Sequence, residues 1–338
     1  AAGIDGQSLS AFEANLEVEL SCLLLELKEK RYRAQPVRRV AIAKDDGGER
    51  LLGIPTVRDR VVQQALRRII EPIFEPDFHP SSYGYRPGRS GHHAIGKAEL
   101  FIRRYRRDWV VDMDLSKCFD TLNHDLIIRQ FRQRITDGSV LSLLRQFLES
   151  GVMVGYHLEE TELGSPQGGV ISPLIANVYL DAFDQFMKAR GHRIVRYADD
   201  ILILCGSRAG AENALRVAQS YLEEELKLTV NVTKTHIAHS DEGVKFLGVV
   251  IHTNYTRIQD KKVVKLKQKL KALTKRNRGI GLAAIIRELN PVLRGFVIYF
   301  RVANCARVLK QVMRWLRRRL RCIQLKQWKK PGRLHRRL

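Results

Sequence analysis

Apolar residues recur along the first 260 positions at two spacings, one typical of helices and the other of strands. The spacing of three or four residues predicts helices over 11–30, 56–71, 90–105, 124–134, 139–150, 172–188 and 210–226. Apolar runs bounded by turn residues predict strands over 109–115 and near 228–232, and hairpins over 37–55 and 195–205. This order of elements predicts an α+β fold in which an antiparallel sheet carries helices on one face.

Hydroxyl and proline residues mark the ends that we expect for two of these helices. Thr56 and Ser172 are the predicted N-cap residues, and Pro173 suits the first turn that follows Ser172. Pro72 is expected to interrupt the helix that Thr56 begins, because proline lacks the amide proton that an interior helical position donates.

Basic residues are concentrated at the end of the chain. The 338 residues include 59 Lys+Arg and 36 Asp+Glu, which gives a formal net charge of +23. Residues 261–338 hold 25 of these bases and a single acid, Glu288, so this segment alone carries +24 and the remainder is close to neutral. A compact particle with this excess repels itself unless a polyanion offsets it, so we expect nucleic acid as the partner.

The basic segment has helical periodicity and is therefore predicted to fold. Its apolar positions form two helical stripes, Val263-Leu266-Leu270-Leu273 and Val308-Val312-Trp315-Leu316-Ile323. Lysines and arginines lie off these stripes, which indicates helices with basic outer faces. The alternative is a solvated run of charge, but such runs usually mix both signs. The bases surround whole helices, so a membrane is less favoured than nucleic acid.

Several other classes of protein are disfavoured. The longest apolar runs are short, as at 201–205, so no membrane-spanning helix is predicted. Five cysteines without a C-x-x-C pair argue against a zinc site or a disulfide framework, and a reducing compartment is expected. No signal peptide or P-loop motif is present. The start at Ala1 without Met leaves a missing upstream end possible.

Four acids lie within or beside apolar strands and need an explanation. Asp112 and Asp114 alternate with apolar residues, so both point to one face of their strand. Asp199 and Asp200 fall where the predicted hairpin 195–205 turns. Carboxylates converging at strand ends repel one another unless cations bridge them, and hard divalent metals such as Mg²⁺ suit these oxygen ligands. The alternative is an ordinary Asp-rich turn.

Three of these acids belong to motifs that together resemble a known family. Tyr197-Ala198-Asp199-Asp200, the Asp-Leu-Ser-Lys-Cys-Phe-Asp run at 114–120 and the Gly-rich segment 165–174 resemble the palm motifs of reverse transcriptases. Segments 53–60 and 82–90 resemble the fingers motifs of one branch, the group II intron-encoded reverse transcriptase/maturases. Segment 289–300 resembles the thumb/maturase domain of that branch, although Phe296 stands where the family often has Trp.

The resemblance covers nearly the whole chain and implies a right-hand polymerase architecture. Its implied divisions are fingers at 1–108, whose start is possibly truncated, a palm at 109–257, and a basic helical thumb/maturase (X) domain at 258–338. The chain ends soon after the thumb-like helices, and no DNA-binding extension or endonuclease domain is visible. Natural absence and truncation are equally open explanations.

The resemblance also implies the catalytic residues. Asp114, Asp199 and Asp200 would hold two Mg²⁺ ions, or Mn²⁺ in their place, for nucleotidyl transfer onto a primer 3′-hydroxyl. Asp112 has no metal role in the family pattern and would lie behind these ligands. Phe119 would lie beneath the sugar of the incoming nucleotide and exclude a 2′-hydroxyl. The alternative for Phe119 is ordinary core packing.

Further binding residues are implied in the same way. Gln167 and Gly168 would approach the nucleotide, Lys44 and Arg50 would grip its triphosphate, and Lys234 would assist departure of pyrophosphate. A solvated turn for the first pair of bases and a surface lysine for Lys234 remain alternatives. Nucleic acid would contact a set of aromatic and basic residues, which are Tyr83, Tyr85, Arg86, Arg89, Arg317, Arg318 and Arg319.

The resemblance implies an RNA-directed DNA polymerase of the group II intron type. Its partners would be an RNA template, a DNA or RNA primer, dNTPs and a structured intron RNA that it helps to splice and to move into DNA. No membrane partner is expected, and the compartment would be the bacterial cytoplasm, near the nucleoid. The alternatives are an RNA-binding maturase without polymerase activity, an RNA-directed RNA polymerase, and a domesticated, CRISPR-associated or defence-associated reverse transcriptase.

Overall fold

The computed structural model describes residues 1–43, 48–154, 157–159, 163–164 and 168–328. The described residues form two compact units. The first unit contains residues 1–94 and 111–237, and the second contains residues 95–110 and those from Ala238 onward. The division into fingers, palm and thumb stays a prediction.

Helices are the main secondary structure of both units. The described residues contain α1 (Leu9–Ala14), α2 (Leu16–Lys28), α3 (Val57–Phe74), α4 (Gly91–Arg103), α5 (His124–Arg132), α6 (Gly138–Glu149), α7 (Ser172–Ala189), α8 (Arg208–Ser220), α9 (Asp260–Leu273), α10 (Leu282–Phe300) and α11 (Ala306–Trp328). A short 3₁₀ turn spans Cys118–Asp120, and a π-helical turn, Tyr221–Glu225, extends α8.

Short strands form three sheets. The strands are β1 (Val37–Ala43), β2 (Glu49–Ile54), β3 (Trp109–Met113), β4 (Val152–Val154), β5 (His157–Glu159), β6 (Arg193–Tyr197), β7 (Asp200–Cys205), β8 (His236–His239), β9 (Val244–Phe246), β10 (Val249–Ile251) and β11 (Thr256–Ile258). The sheet orders are β2-β1-β4-β5, β6-β7-β3-β8 and β11-β10-β9. The predicted α+β class is confirmed.

Both predicted hairpins are present. Strands β1 and β2 pair antiparallel, and so do β6 and β7, which meet at the Tyr197–Asp200 pair. The predicted antiparallel pairing is found in both hairpins, whereas β1 also pairs with β4 in parallel. The predicted strand near 228–232 is wrong. Only the bridge between Leu115 and Val230 forms there, and the strand beside β3 is β8.

The predicted helix ends are partly confirmed. Thr56 caps α3, because its side chain accepts the Asp59 N–H at 3.1 Å. Pro72 does not interrupt α3, which continues to Phe74. The cap of α7 is Ile171, and Ser172 is already helical, so the prediction that Ser172 caps this helix is wrong. The predicted helix 11–30 is divided at Asn15 into α1 and α2.

The second unit contains a separate apolar core made by α9, α10 and α11. Its buried members are Leu266, Leu270, Ile285, Leu289, Val312, Leu316 and Ile323. Both apolar stripes predicted for the basic segment contribute to this core, which confirms that the segment folds up to residue 328. None of the helices in the described part of the chain is long and apolar enough to cross a membrane.

His79 is a buried imidazole in the core of the first unit. Its Nδ1 accepts the Ser81 N–H at 3.1 Å, and its own backbone N–H donates to Asp181 Oδ1 at 3.0 Å. Burial, with a smaller contribution from Lys188, lowers the pKa of His79 to about 4. The folded chain therefore holds His79 uncharged at neutral pH.

We expect His79 to make the free energy of unfolding fall as the pH drops from 6.5 towards 4. Within that window the unfolded chain, whose histidine pKa is 6.5, binds a proton that the folded chain does not. The full loss is about 3 kcal/mol. In the variant His79→Asn, whose amide oxygen keeps an acceptor for Ser81, urea unfolding should show a shallower pH dependence. Identical pH dependence in both proteins would contradict this expectation.

Candidate active site

The turn between β6 and β7 presents Asp199 and Asp200. Tyr197 pairs with Asp200, so only Ala198 and Asp199 connect the two strands. Ala198 has a left-handed φ of +58° at the first connecting position, where hairpins usually have glycine. A non-glycine residue in this conformation costs about 1 kcal/mol or more, so neighbouring groups must hold it.

Asp114 directly follows β3, which lies beside β7 in the same sheet. Its backbone carbonyl accepts the Asn231 N–H at 2.8 Å, and its N–H donates to Thr235 Oγ1 at 3.2 Å. Its carboxylate accepts the Asn231 side-chain N–H at 3.1 Å, and Lys234 Nζ lies 3.4 Å from the same Oδ2. Segment 231–235 thus fixes both the backbone and the carboxylate of Asp114.

Burial and neighbouring carboxylates both act on Asp200. Desolvation, followed by repulsion from Asp199, Asp112 and Asp114, raises the pKa of Asp200 to about 7, and Lys234 opposes this shift. Asp200 nevertheless stands at the open start of β7 with an exposed side chain, so water screens part of the repulsion. The sheet therefore gathers four acids at one end of adjacent strands.

The donor atoms at this end of the sheet suit a hard divalent cation. Carboxylate oxygens are the ligands that Mg²⁺ prefers, and a cation relieves the repulsion among like charges. Within the described residues, no three His, Cys, Asp or Glu side chains are already arranged to hold a metal ion. Asp114, Asp199 and Asp200 match the metal in donor type and charge, and their side chains would have to move closer together to share one ion.

Phe119 lies in the 3₁₀ turn that follows Asp114. The turn begins after Lys117, whose φ is +48°, and Thr121 Oγ1 donates to the Lys117 carbonyl at 3.3 Å. The neighbouring Cys118 is buried, and burial raises the pKa of its thiol to about 12, which makes it a packing residue. Phe119 itself is only half-buried, so its ring is not an ordinary core side chain.

Gly168 packs tightly against the strand β2. Its φ is +118°, and a Cβ at this position would lie 2.4 Å from the Gly53 carbonyl oxygen. Two residues later, the Val170 N–H donates to the buried Gln63 side chain at 2.7 Å. Residues 168–170 are therefore held against β2 and α3.

Three predicted nucleotide-binding residues cannot be placed beside this segment. Lys44 and Gln167 lie outside the described residues, and the side chain of Arg50 does too, although its backbone belongs to β2. Of the predicted nucleotide ligands, Phe119, Gly168 and Lys234 are placed, and Lys234 is the one that contacts a predicted metal ligand.

The loop 82–90 divides into buried and exposed residues. Arg86 is 6% exposed and donates to the Glu75 carboxylate and to the carbonyls of His79 and Ser82. This placement indicates a structural role for Arg86, in contrast to the predicted contact with nucleic acid. Tyr83 is also buried, beneath the guanidinium of Arg89 at 5.5 Å.

Two other side chains of the same loop remain candidates for the predicted contact with nucleic acid. Tyr85 is 51% exposed and has a left-handed φ of +58°. Arg89 is half-buried, and its Nη1 donates to the Pro80 carbonyl at 2.5 Å. These two side chains, unlike Tyr83 and Arg86, stand where a polyanion could reach them.

The three consecutive arginines of α11 differ in their surroundings. Arg317 and Arg318 are exposed. Arg319 is half-buried and donates to Thr274 Oγ1 at 2.6 Å, with its guanidinium over the Trp315 ring at 5.3 Å. Arg319 therefore joins α11 to the end of α9.

Two residues of the site were missed by the sequence reasoning. Asn231 donates to Asp114, and the fully buried Arg196 donates to the Ala198 carbonyl at 3.1 Å. An arginine within the apolar run 194–205 is as anomalous as the acids that follow it. That signal could have identified Arg196, but nothing local distinguishes Asn231.

Solved structures show the class of fold. A telomerase from Candida albicans, solved with a fragment of telomeric RNA, matches with a TM-score of 0.54 and 14% identity over 86% of this chain and 58% of its own. An apo telomerase from Candida tropicalis matches with a TM-score of 0.53 and 11% identity, over 91% of this chain and 66% of the telomerase chain. The chain therefore shares the fold of these telomerases.

Sequence profiles then identify the family. The profile described as "Reverse transcriptase (RNA-dependent DNA polymerase)" matches residues 42–251, which is more than half of the chain. The profile "Group II intron, maturase-specific domain" matches residues 263–338. The chain belongs to the reverse transcriptase family, in the branch that carries a group II intron maturase domain, and the predicted resemblance is confirmed.

Individual relatives agree with this assignment. Protein YkfC of Escherichia coli (strain K12) is 38% identical over 84% of this chain and 84% of its own length. The group II intron-encoded protein LtrA of Lactococcus lactis subsp. cremoris is 28% identical over 85% of this chain. The chain spans only 57% of LtrA, and 33% of a putative COX1/OXI3 intron 2 protein of Saccharomyces cerevisiae that is 30% identical.

Proposed function

We propose that the protein is an RNA-directed DNA polymerase that extends a primer with deoxynucleotides, with fingers at 1–108, palm at 109–257 and thumb at 258–338. The observation that carries the proposal is the meeting of Asp114 with Asp199 and Asp200 at neighbouring strand ends. These acids come from separate parts of the sequence, and both Asp199 and Asp114 raise the pKa of Asp200. Such a cluster has no role in packing, because its members repel one another.

Asp114, Asp199 and Asp200 would hold two divalent cations in this proposal. The bound ions, when present, supply Lewis acidity and stabilise charge on the attacking and leaving oxygens. The chain itself fixes the carboxylates, since Asn231 orients Asp114 and the two-residue turn orients Asp199. Lys234, 61% exposed beside Asp114, is available to the departing pyrophosphate.

Selection of deoxynucleotides is assigned to Phe119. Its half-buried ring follows Asp114 by five residues, on a turn fixed by hydrogen bonds to Lys117 and Cys118. A rigid ring beneath the sugar excludes a 2′-hydroxyl by steric contact. Gly168, whose backbone needs the absence of a side chain, would let the nucleotide approach closely.

The maturase role is proposed for the second unit. The match of residues 263–338 to the maturase profile supports it, as do the bases on the outer faces of α9 and α11. We infer that these helices bind a structured intron RNA and the template–primer duplex through their phosphates, and so assist splicing and mobility. The relative in Escherichia coli supports a bacterial protein, and the cytoplasm stays our inference for its compartment.

Replacing Arg317 and Arg318 together by Gln is expected to weaken binding of an RNA duplex and to lower the slope of log K against log salt by about 2. Each lost phosphate contact removes about one unit of slope. Fluorescence anisotropy across a salt series measures both quantities. The matched control replaces Arg132 and Arg216, two exposed arginines of the first unit, and should leave the slope unchanged. An unchanged slope in the α11 variant would show that these two arginines of the thumb do not contact the RNA.

Primer extension on an RNA template tests the polymerase proposal. The intact chain is compared with Asp199→Ala, and dNTPs are compared with NTPs under the same conditions. We expect extension with dNTPs only, and none by Asp199→Ala. Phe119→Ala should add extension with NTPs, because its small side chain leaves room for the 2′-hydroxyl.

Two results would count against the proposal. Absence of dNTP incorporation by the intact chain would leave an RNA-binding maturase as the function, provided that RNA binding persists. Equal activity in the intact chain and in Asp199→Ala would show that the activity does not come from this site.

A further inference from the structure

Arg196 is a fully buried guanidinium in the hairpin strand β6, where it directly follows the buried Ile194 and Val195. Its side chain and that of Asp184, on α7, are both 0% exposed. Burying a charge costs several kcal/mol unless the charge is paired and hydrogen-bonded. The contacts of Arg196 therefore indicate which part of the fold the buried guanidinium holds in place.

Asp184 satisfies only one side of the Arg196 guanidinium. Nε lies 2.9 Å from both carboxylate oxygens, and Nη2 lies 2.6 Å from Oδ2. The remaining nitrogen, Nη1, donates at 3.1 Å to Asn177 Oδ1 and at 3.1 Å to the Ala198 carbonyl. The pair with Asp184 thus fixes the guanidinium, and its other side faces the turn that carries Asp199.

The Ala198 carbonyl is the part of that turn that needs to be fixed. Ala198 is in the left-handed conformation, which an alanine adopts only when its surroundings hold it. The rotation of the Ala198 peptide determines the direction of the Asp199 side chain that follows. A hydrogen bond from a rigid, buried donor to this carbonyl therefore limits the positions available to Asp199.

Asn177 extends the same network to the loop 82–90. Its Nδ2 donates to the Gly84 carbonyl at 2.8 Å, and the Tyr83 N–H donates to the Arg196 carbonyl at 2.9 Å. A Cβ at Gly84 would lie 2.3 Å from the Ala198 nitrogen. The loop backbone and the turn are thus held against each other from two sides.

We propose that Arg196, fixed by Asp184 and Asn177, is a positioning residue that sets the Asp199–Asp200 turn in the geometry that binds the divalent cation. The inference rests on the proposed function, because it assumes that this turn binds the metal. The Nη1 group of a buried arginine needs an acceptor in any case, but here one of its acceptors is the carbonyl of the left-handed residue that precedes Asp199. Buried ion pairs can be replaced by apolar side chains of similar volume with little loss of stability, which allows the two roles to be separated.

The experiment replaces the whole ion pair by apolar residues in the double variant Arg196→Met with Asp184→Leu. Three quantities are measured on the full chain. They are the melting temperature, Mn²⁺ binding by electron paramagnetic resonance of the free ion, and the kcat and KM of primer extension. The control double variant, Arg145→Met with Asp125→Leu, removes an exposed pair of the same unit.

We expect the buried double variant to melt close to the wild type, to bind Mn²⁺ about tenfold more weakly, and to extend primers with a kcat lower by about 10- to 100-fold. The KM for dNTP should change much less. The control variant should match the wild type in all three quantities. Arg196→Lys, which can pair with Asp184 but cannot form the full set of contacts, should lie between the wild type and the double variant.

Wild-type Mn²⁺ affinity and kcat in the folded double variant would overturn the proposal. If that variant does not fold, Asn177→Ala decides the question, because it leaves the Arg196–Asp184 pair whole. Unchanged Mn²⁺ binding in Asn177→Ala would then overturn it. If the wild-type chain does not extend primers, that result counts against the proposed function. Weaker Mn²⁺ binding by the variants than by the wild type would still support the positioning role of Arg196.

Discussion

Asp200→Asn is expected to lower the rate of primer extension by about 10³-fold or more. Asparagine keeps the size of the side chain but removes the charge that binds a divalent cation, and the charge stabilisation that such an ion supplies is worth several kcal/mol. Single-turnover primer extension with saturating dNTP measures the chemical step. Asp199 and Asp114 remain in place, so any residual activity reports a site with one ligand missing.

The stability of the same variant gives an independent check. Asp199, Asp112 and Asp114 all raise the pKa of Asp200, so removal of its charge relieves repulsion in the metal-free protein. The melting temperature should therefore stay level or rise. Asp125→Asn, on the exposed face of α5, is the control and should keep full activity. Activity within a few-fold of wild type in Asp200→Asn would exclude Asp200 as a metal ligand.

Gly168→Ala is the second change with a large expected effect. The added methyl group would lie 2.4 Å from the Gly53 carbonyl oxygen, and φ of +118° is rarely adopted by alanine. Steric overlap with backbone and the unfavourable φ together cost about 3 kcal/mol. Displacement of the segment by about 1 Å would lower primer extension by about 10²-fold. Chemical denaturation and steady-state kinetics measure the two effects.

Gly88→Ala is the matched control for this prediction. Gly88 has a left-handed φ of +67°, but no atom lies within 4 Å of the position that its Cβ would occupy. The variant therefore isolates the cost of the backbone conformation, about 1 kcal/mol. If Gly168→Ala lowered stability and activity no more than Gly88→Ala does, the close approach of Gly168 to Gly53 would not matter for function.

Local patterns predicted most helices and both hairpins. The stripe that contains Leu266 and Leu270 lies in the core of the second unit, and the hairpin turn at Asp199 lies where the apolar run is interrupted. These features depend on the period of apolar residues and on neighbouring turn residues, which the sequence itself contains. The strand predicted near Val230 was wrong because pairing with the residues after β3 stops at a single bridge, Leu115–Val230, and a local apolar pattern does not record how far pairing extends.

The motifs predicted the acidic residues of the candidate site, and they missed the groups that hold them. Asp114 and Asp199 interrupt apolar strands, which makes them visible in the sequence. Asn231 is visible only once its donated hydrogen bond to Asp114 is known. Pro72 illustrates the same limit for the fold, because packing of α3 overrides the helix-breaking tendency of a single residue.

The sequence by itself determined the family, through the order of its motifs, and the location of the charge, through the excess of bases after residue 260. The tertiary structure alone decided which arginines are free to meet a phosphate. Arg86 and Arg196 are buried on Glu75 and Asp184, whereas Arg317 is exposed. The physical reason is that burial of a charge depends on partners brought together by folding, and no local pattern of residues records those partners.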